Sequence, residues 1–261
     1  MLRNSRSNSY ICALAIFVLL IAACGKEQRE SLCLVCIIDL TRSLETESQR
    51  EAFDAIQSTL KEMRRGDRIA IIPITGDAMT QSQGRIIRFQ LSDRREAYDE
   101  DLRRFSQEVA ERLQHMRDEA ANSPYNHSDI MGAVRLAGEE LASARSGARR
   151  AIVLLSDLLQ DDAQYDFKRD TRLASNEAAA KFAALLPRDQ EQALQNSAVF
   201  LGLLRSVELK NVPQTRRAAL QTFWREFFTR QGAASVRSAT DGAGQMATFA
   251  QQQRDQKERG K

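Results

Sequence analysis

The chain has 261 residues, of which 43% are hydrophobic, enough to supply the core of one large domain or two small ones. Its formal net charge is +3, and Arg3 and Arg6 near the start supply two of those charges, so the rest is close to neutral. Lys and Arg interleave with Asp and Glu throughout, which argues against the concentrated basic footprint that nucleic-acid binding requires.

Residues 1–23 have the layout of a secretory signal: Arg3 and Arg6, an apolar run over 11–23, then small residues. That run is shorter than the roughly 20 residues a bilayer-spanning helix needs, so a permanent transmembrane anchor is the weaker reading. At its end, Ile21-Ala22-Ala23-Cys24 resembles the lipobox of bacterial lipoprotein precursors. The resemblance implies that the Cys24 sulfur takes a diacylglyceryl group, the preceding peptide is removed and the new amine is acylated. A membrane anchor follows, because lipid chains contribute about 0.8 kcal/mol per buried CH₂. Gly25, where an inner-membrane retention signal would place aspartate, implies a bacterial envelope location with the outer membrane favoured. An ordinary signal peptide whose cleavage site happens to precede a cysteine is the alternative. Residues 24–30 then form a polar tether.

Beyond the tether, apolar runs of strand length alternate with segments of helical period, the pattern of a mostly parallel sheet covered by helices. Strands are predicted at 32–40, 68–75, 84–91, 151–156 and 198–204, with a weak sixth near 234–236; most are apolar on both faces, as buried parallel strands must be. Cys33 and Cys36 make a C-x-x-C spacing within the first run, where residues three apart point to opposite faces, so both read as small buried residues rather than a redox pair. Helical spacing recurs in Phe53, Ile56, Leu60 and Met63, with Gly66 as the expected stop, then in Ile130, Val134, Ala137 and Leu141, and in Leu220, Phe223, Trp224, Phe227 and Phe228. Two stretches exceed a minimal fold, 93–119 and 158–196; the first reads as a solvated helix with one apolar stripe of Phe105, Val109, Leu113 and Met116. The polar segment 251–261 is expected to be a disordered tail, leaving 31–250 as a single domain. The predicted fold class is therefore α/β, doubly wound, with helices on both faces of the sheet.

The informative chemistry lies at Asp39-Leu40-Thr41-Arg42-Ser43, where the first buried strand ends. Ligands of open parallel sheets bind beyond the carboxyl ends of the strands. In an extended turn, alternate residues can face one point, so a carboxylate and two hydroxyls converge there. Oxygen ligands of this kind suit a hard cation such as Mg²⁺. Residues 33–43 resemble the first strand and metal-ion-dependent adhesion site of von Willebrand factor A domains, and Gly66-Asp67-Arg68 is similar to that family's lead-in to its second strand. The resemblance implies two further parts in fixed order. Ser128, opening Ser128-Asp129-Ile130-Met131-Gly132-Ala133, takes the place of a loop threonine, and Asp157, ending Ile152-Val153-Leu154-Leu155-Ser156-Asp157, takes the place of a strand-terminal aspartate.

By that resemblance Thr41, Ser43 and Ser128 offer hydroxyl oxygens, while Asp39 and Asp157 hold Mg²⁺, or another divalent cation such as Mn²⁺ or Ca²⁺, directly or through water. An open coordination position would accept a carboxylate from a protein partner, with Arg42 a candidate contact for acidic partner groups. Leu158 stands where the family has glycine, which bears on the shape of that loop. The implied function is a non-enzymatic, membrane-anchored binding module.

Two alternatives stay open. Asp39 with Thr41, Ser156 and Asp161-Asp162 loosely resemble haloacid dehalogenase-like phosphatases, although the second acidic residue two places after the nucleophile is missing. A metal-free structural envelope lipoprotein is the other. Other signals read as structure. Arg65-Gly66-Asp67 is a helix stop before a strand, adjacent His127, Ser128 and Asp129 diverge too far for a catalytic relay, and the acidic cluster Asp161, Asp162, Asp166 and Asp170 is a solvated loop.

Overall fold

The computed structural model describes residues 30–122, 125–188 and 194–255. Leader residues 1–23, Cys24 and all of the tether except Glu30 lie outside the described residues. Among the described residues no helix is long and apolar enough to cross a membrane.

The fold is α/β and doubly wound. Strand β1 (Leu32–Asp39) leads through α1 (Thr46–Lys61) to β2 (Arg68–Ile74) and the edge strand β3 (Ile87–Gln90). The long helix α2 (Arg95–Asn122) and α3 (Ile130–Ala142) precede β4 (Arg149–Ser156); α4 (Asn176–Leu185) precedes β5 (Ser197–Leu203). The one-turn helix α5 (Val207–Lys210), α6 (Gln214–Arg230), β6 (Ser235–Ala239) and α7 (Gly242–Asp255) complete the chain. The sheet order is β3-β2-β1-β4-β5-β6, parallel except for β3, which runs antiparallel to β2.

Side chains alternate along β1 between two cores. Cys33, Val35 and Ile37 pack with α3, α4 and α6, while Leu34, Cys36 and Ile38 pack with α1, α2 and α7. Both cysteines are free and buried, and burial pushes the Cys33 thiol up to about 11 and raises that of Cys36 further. Neither is the exposed, low-pKa thiol that redox chemistry uses.

Several expectations shift in detail. Gly84 and Arg85 fall in a 3₁₀ turn before β3 rather than within a strand. The helix α1 stops at Lys61, ahead of Met63 and Gly66, and a turn follows in which the Asp67 carboxylate accepts from Arg64 N at 2.9 Å. Gly66 serves that turn, with φ +82°. Of residues 93–119, all from Arg95 onward belong to one helix whose Phe105, Val109, Leu113 and Met116 are buried. The tail expectation is corrected at its start: α7 continues through Asp255, with Gln253 buried and the Arg254 side chain only 5% exposed beside Asp67. Residues 256–261 lie outside the described residues.

Candidate functional site

Strand order reverses between β1 and β4, because the chain winds outward from β1 to β2 and β3 on one side and from β4 to β5 and β6 on the other. A doubly wound sheet opens a crevice at such a point, beyond the carboxyl ends of its strands. Asp39 ends β1 and Asp157 follows directly on β4, so both carboxylates stand at the lip of that crevice. They are 0% and 1% exposed.

The loop after β1 folds around Asp39. Its Oδ1 accepts from Thr41 N at 2.9 Å and from Thr41 Oγ1 at 2.6 Å, and its Oδ2 accepts from Ser156 Oγ at 2.8 Å. Thr41 Oγ1 lies 3.1 Å from Ser43 Oγ and accepts from Ser128 Oγ at 3.2 Å. Ser43 Oγ reaches Asp157 Oδ2 at 3.5 Å. Asp39, Thr41, Ser43, Ser128 and Asp157, drawn from three separated stretches of sequence, therefore form one connected cluster of oxygen atoms. Exposed Arg42 stands at its edge, its backbone N–H donating to Tyr125 O at 3.0 Å.

The supports are local. Ser128 is clamped by paired backbone hydrogen bonds with Asp161, at 2.8 and 2.9 Å. Asp129 caps α3, accepting from Gly132 N at 2.8 Å and from Ala78 N at 3.0 Å. A Cβ at Gly132 would stand 2.0 Å from Asp129 Oδ2, so glycine is required for the cap to close. His127 turns away to Asp161, confirming that His127, Ser128 and Asp129 diverge. In the acidic cluster, Asp162, Asp166 and Asp170 accept from backbone N–H groups two residues ahead and so fold the loop. The ion pairs of that cluster run to His127, Lys168, Arg169 and Arg172, and not to Arg42.

Leu158 occupies the position where glycine was expected and adopts the left-handed backbone such a glycine would, with φ +66°. A side chain there costs on the order of 1–3 kcal/mol of backbone strain. Burial of Leu158 at 1% exposure and the bond from Trp224 Nε1 to its carbonyl, 2.9 Å, hold it in place.

Electrostatically the site is unbalanced. Burial raises the Asp39 carboxyl above its ordinary range, against the hydrogen bonds from Thr41 and Ser156 that pull it down. Burial, and next the negative charge of Asp39, push Asp157 up to about 7, partly offset by a hydrogen bond from the Ser206 side chain. Among the described residues neither carboxylate has an ion-pair partner, and no group of three or more His, Cys, Asp or Glu side chains is arranged to hold a metal. A cation here would draw on two carboxylates and three hydroxyls, a hard, all-oxygen set that fits Mg²⁺, Mn²⁺ or Ca²⁺.

Two contributors escaped the sequence reading as members of the site. Ser156, on the last position of β4, anchors Asp39. Ser206, beyond β5, caps α5 by accepting from Leu209 N at 2.9 Å while donating to Asp157. A serine just ahead of a short acidic-first helix was the available signal for Ser206, but α5 is too short to show a period.

No family model matches the chain, and no curated protein does. Among solved structures, the PilB minor pilin from Streptococcus sanguinis superposes with a TM-score of 0.53 at 13% identity, covering 87% of this chain and 63% of the pilin. An aerotolerance-related membrane protein from Bacteroides fragilis, bearing multiple mutations to serines, gives 0.49 at 13% identity, covering 87% of this chain and 100% of that one. A von Willebrand factor type A structure from Catenulispora acidiphila gives 0.44 at 13% identity, over 86% of this chain and 42% of that one. The pilin carries the fold likeness. At this identity it shows the doubly wound fold alone.

Proposed function

We propose that this chain is a lipid-anchored binding module of the bacterial envelope, a von Willebrand factor A-type domain whose rim takes a divalent cation and captures a protein partner through it. The observation that carries this reading is the pair of fully buried carboxylates, Asp39 and Asp157, set against one another at the switch point with three hydroxyls and without a side-chain cation. Two uncompensated buried charges of one sign are costly, and a divalent cation would neutralise both.

Asp39 and Asp157 would hold the ion directly or through water, with Thr41, Ser43 and Ser128 completing the donor set. A bound cation supplies a Lewis-acidic position able to accept a carboxylate from the partner. The protein's part is orientation: Ser156 and the Thr41 backbone fix Asp39, Ser206 and Leu159 N fix Asp157, and the Asp161 clamp fixes Ser128. Arg42 is exposed beside the cluster, where it would meet acidic groups of the partner. The likeness to a minor pilin is in keeping with an envelope role. The phosphatase alternative needs an acidic group two places past Asp39, and Thr41 stands there with its hydroxyl committed to Asp39.

The test is thermal unfolding with Mg²⁺, Mn²⁺ or Ca²⁺, in wild type and Asp39→Ala, beside partner capture from envelope extract. A cation at a hundred times its Kd should stabilise wild type by about 2.7 kcal/mol. Asp39→Ala should abolish that response, and chelator and substitution should weaken capture alike. A wild type indifferent to all three cations would overturn the reading.

A further inference from the structure

We propose that Trp224 is a positioning residue for Asp157: its indole N–H sets the Leu158–Leu159 peptide group, and that group sets the direction in which the Asp157 carboxylate faces the candidate cation site. The carbonyl of this peptide accepts from Trp224 Nε1 at 2.9 Å, and its N–H, on Leu159, donates to Asp157 Oδ1 at 3.0 Å. A peptide group is planar and trans, so an oxygen held on one side directs the N–H to the other. With Oδ1 engaged there, Oδ2 is left to face Ser43 Oγ, 3.5 Å away.

Leu158 makes such a hold necessary. Its φ of +66° crowds a leucine Cβ against the backbone, whereas glycine adopts that conformation freely. Both peptide groups that flank it reach the site. Leu158 N donates to Ser156 Oγ at 3.0 Å, and Ser156 Oγ donates to Asp39 Oδ2 at 2.8 Å. Relaxation of Leu158 towards negative φ would therefore disturb the supports of both buried carboxylates at once.

The indole is itself held. Trp224 lies on α6, fully buried, with its ring centroid 5.2 Å from that of Phe223, 5.4 Å from Phe227, 5.9 Å from Phe167 and 6.2 Å from Phe228. A buried indole N–H needs an acceptor wherever it sits. Here the acceptor it takes belongs to the strained residue next to Asp157, so one bond serves both the indole and the loop. The consequence for cation affinity rests on the proposed cation site; the placement of Asp157 does not.

Two readouts on the full chain test the two parts separately. The first needs no metal: amide hydrogen exchange of Leu159, followed by NMR with chelator present, is compared with that of Ser128, whose N–H donates to Asp161 O at 2.8 Å in the loop before α3. Trp224→Phe keeps an aromatic ring among the phenylalanines and removes the N–H. It should speed Leu159 exchange about ten-fold relative to Ser128, the loss expected of one buried hydrogen bond. A role in packing alone would speed both amides by the same factor. In wild type, the Trp224 indole N–H and the Leu159 amide should open together, with one dependence on urea. Separate openings overturn the proposal even where Trp224→Phe does not fold.

The second readout is Mg²⁺ affinity by calorimetry, which should fall about ten-fold in Trp224→Phe. Adding Leu158→Gly, which holds a positive φ without Cβ strain, should recover much of that affinity even as loss of a buried side chain lowers the unfolding temperature further. Equal exchange factors overturn the proposal, as does a Mg²⁺ affinity that Trp224→Phe leaves unchanged or that Leu158→Gly fails to recover. A wild type that binds no divalent cation removes the cation site alone, and the Leu159 amide then decides whether Trp224 places Asp157.

Discussion

The domain buries carboxylates at both of its ends and treats them differently. At the base, Asp67 is buried with Arg254, 3.3 Å between Nε and Oδ2, and also accepts from Leu32 N and Arg64 N at 2.9 Å each. At the rim, Asp39 and Asp157 are buried with hydroxyl and backbone donors but no cation, and Asp39 helps push Asp157 up to about 7. Burial raises the Asp67 carboxyl as well, yet its hydrogen bonds and the guanidinium oppose that rise. At the base the buried carboxylate is thus matched by a cation of the chain itself, whereas the rim stays electrostatically open until protons or an added cation close it.

The sharpest way to break that contrast is to remove the internal cation. Arg254→Met should cost about 3–5 kcal/mol, because it leaves Asp67 buried and unpaired. Urea unfolding would read it directly, and adding Asp67→Asn should recover much of the loss. The base needs no added ion, so Mg²⁺ should stabilise Arg254→Met and wild type by equal increments. A loss near zero would mean that Arg254 is not what matches the buried Asp67.

A second test uses pH on the metal-free protein. An unfolded aspartate ionises near about 3.9, and folded Asp157 near 7, so across that window the folded state holds the extra proton. Stability from this source is whole below the lower value and is lost as pH rises toward the upper one, by at most about 1.4 kcal/mol per pH unit, with no further loss above. The increment from Mg²⁺ should grow through the same window, since the ion competes with the proton. Denaturant midpoints with chelator and with Mg²⁺, stepped through the window, check both slopes. Asp39→Asn should shallow the metal-free slope by removing the neighbouring charge.

Much of this arrangement was legible in the sequence, for physical reasons. Strands buried on both faces show as unbroken apolar runs, and Asp39, Thr41 and Ser43 stand out because a carboxylate and hydroxyls interrupt the end of one. The Ser128 and Asp157 segments followed in the expected order, and the structure brings their side chains to the same place. What stayed hidden depends on partners distant in sequence. The last turns of α7 look like polar tail because the acid that balances Arg254 is Asp67, on the far side of the chain order. Leu158 looked unsuited to its loop; its left-handed backbone is held by Trp224, a bond no local pattern announces.

Ser206 is the smallest case and separates local architecture from charge at the rim. Its side chain caps α5 through Leu209 N and also donates to Asp157, so Ser206→Ala removes two contacts of different kinds. Loss of a cap costs about 1 kcal/mol, and thermal unfolding of the metal-free protein at low pH, where Asp157 is protonated, should show about that much. Near neutral pH the variant also loses the hydrogen bond that holds the Asp157 carboxyl down, so its apparent ionisation should move still higher. Mg²⁺ affinity should then fall more steeply on acidification than in wild type. Ser206→Thr, which keeps a hydroxyl for both contacts, should restore the wild-type pH profile. A variant that shows the cap loss without the steeper pH dependence would make Ser206 a support for α5 alone, leaving Asp157 to be set by burial and by Asp39.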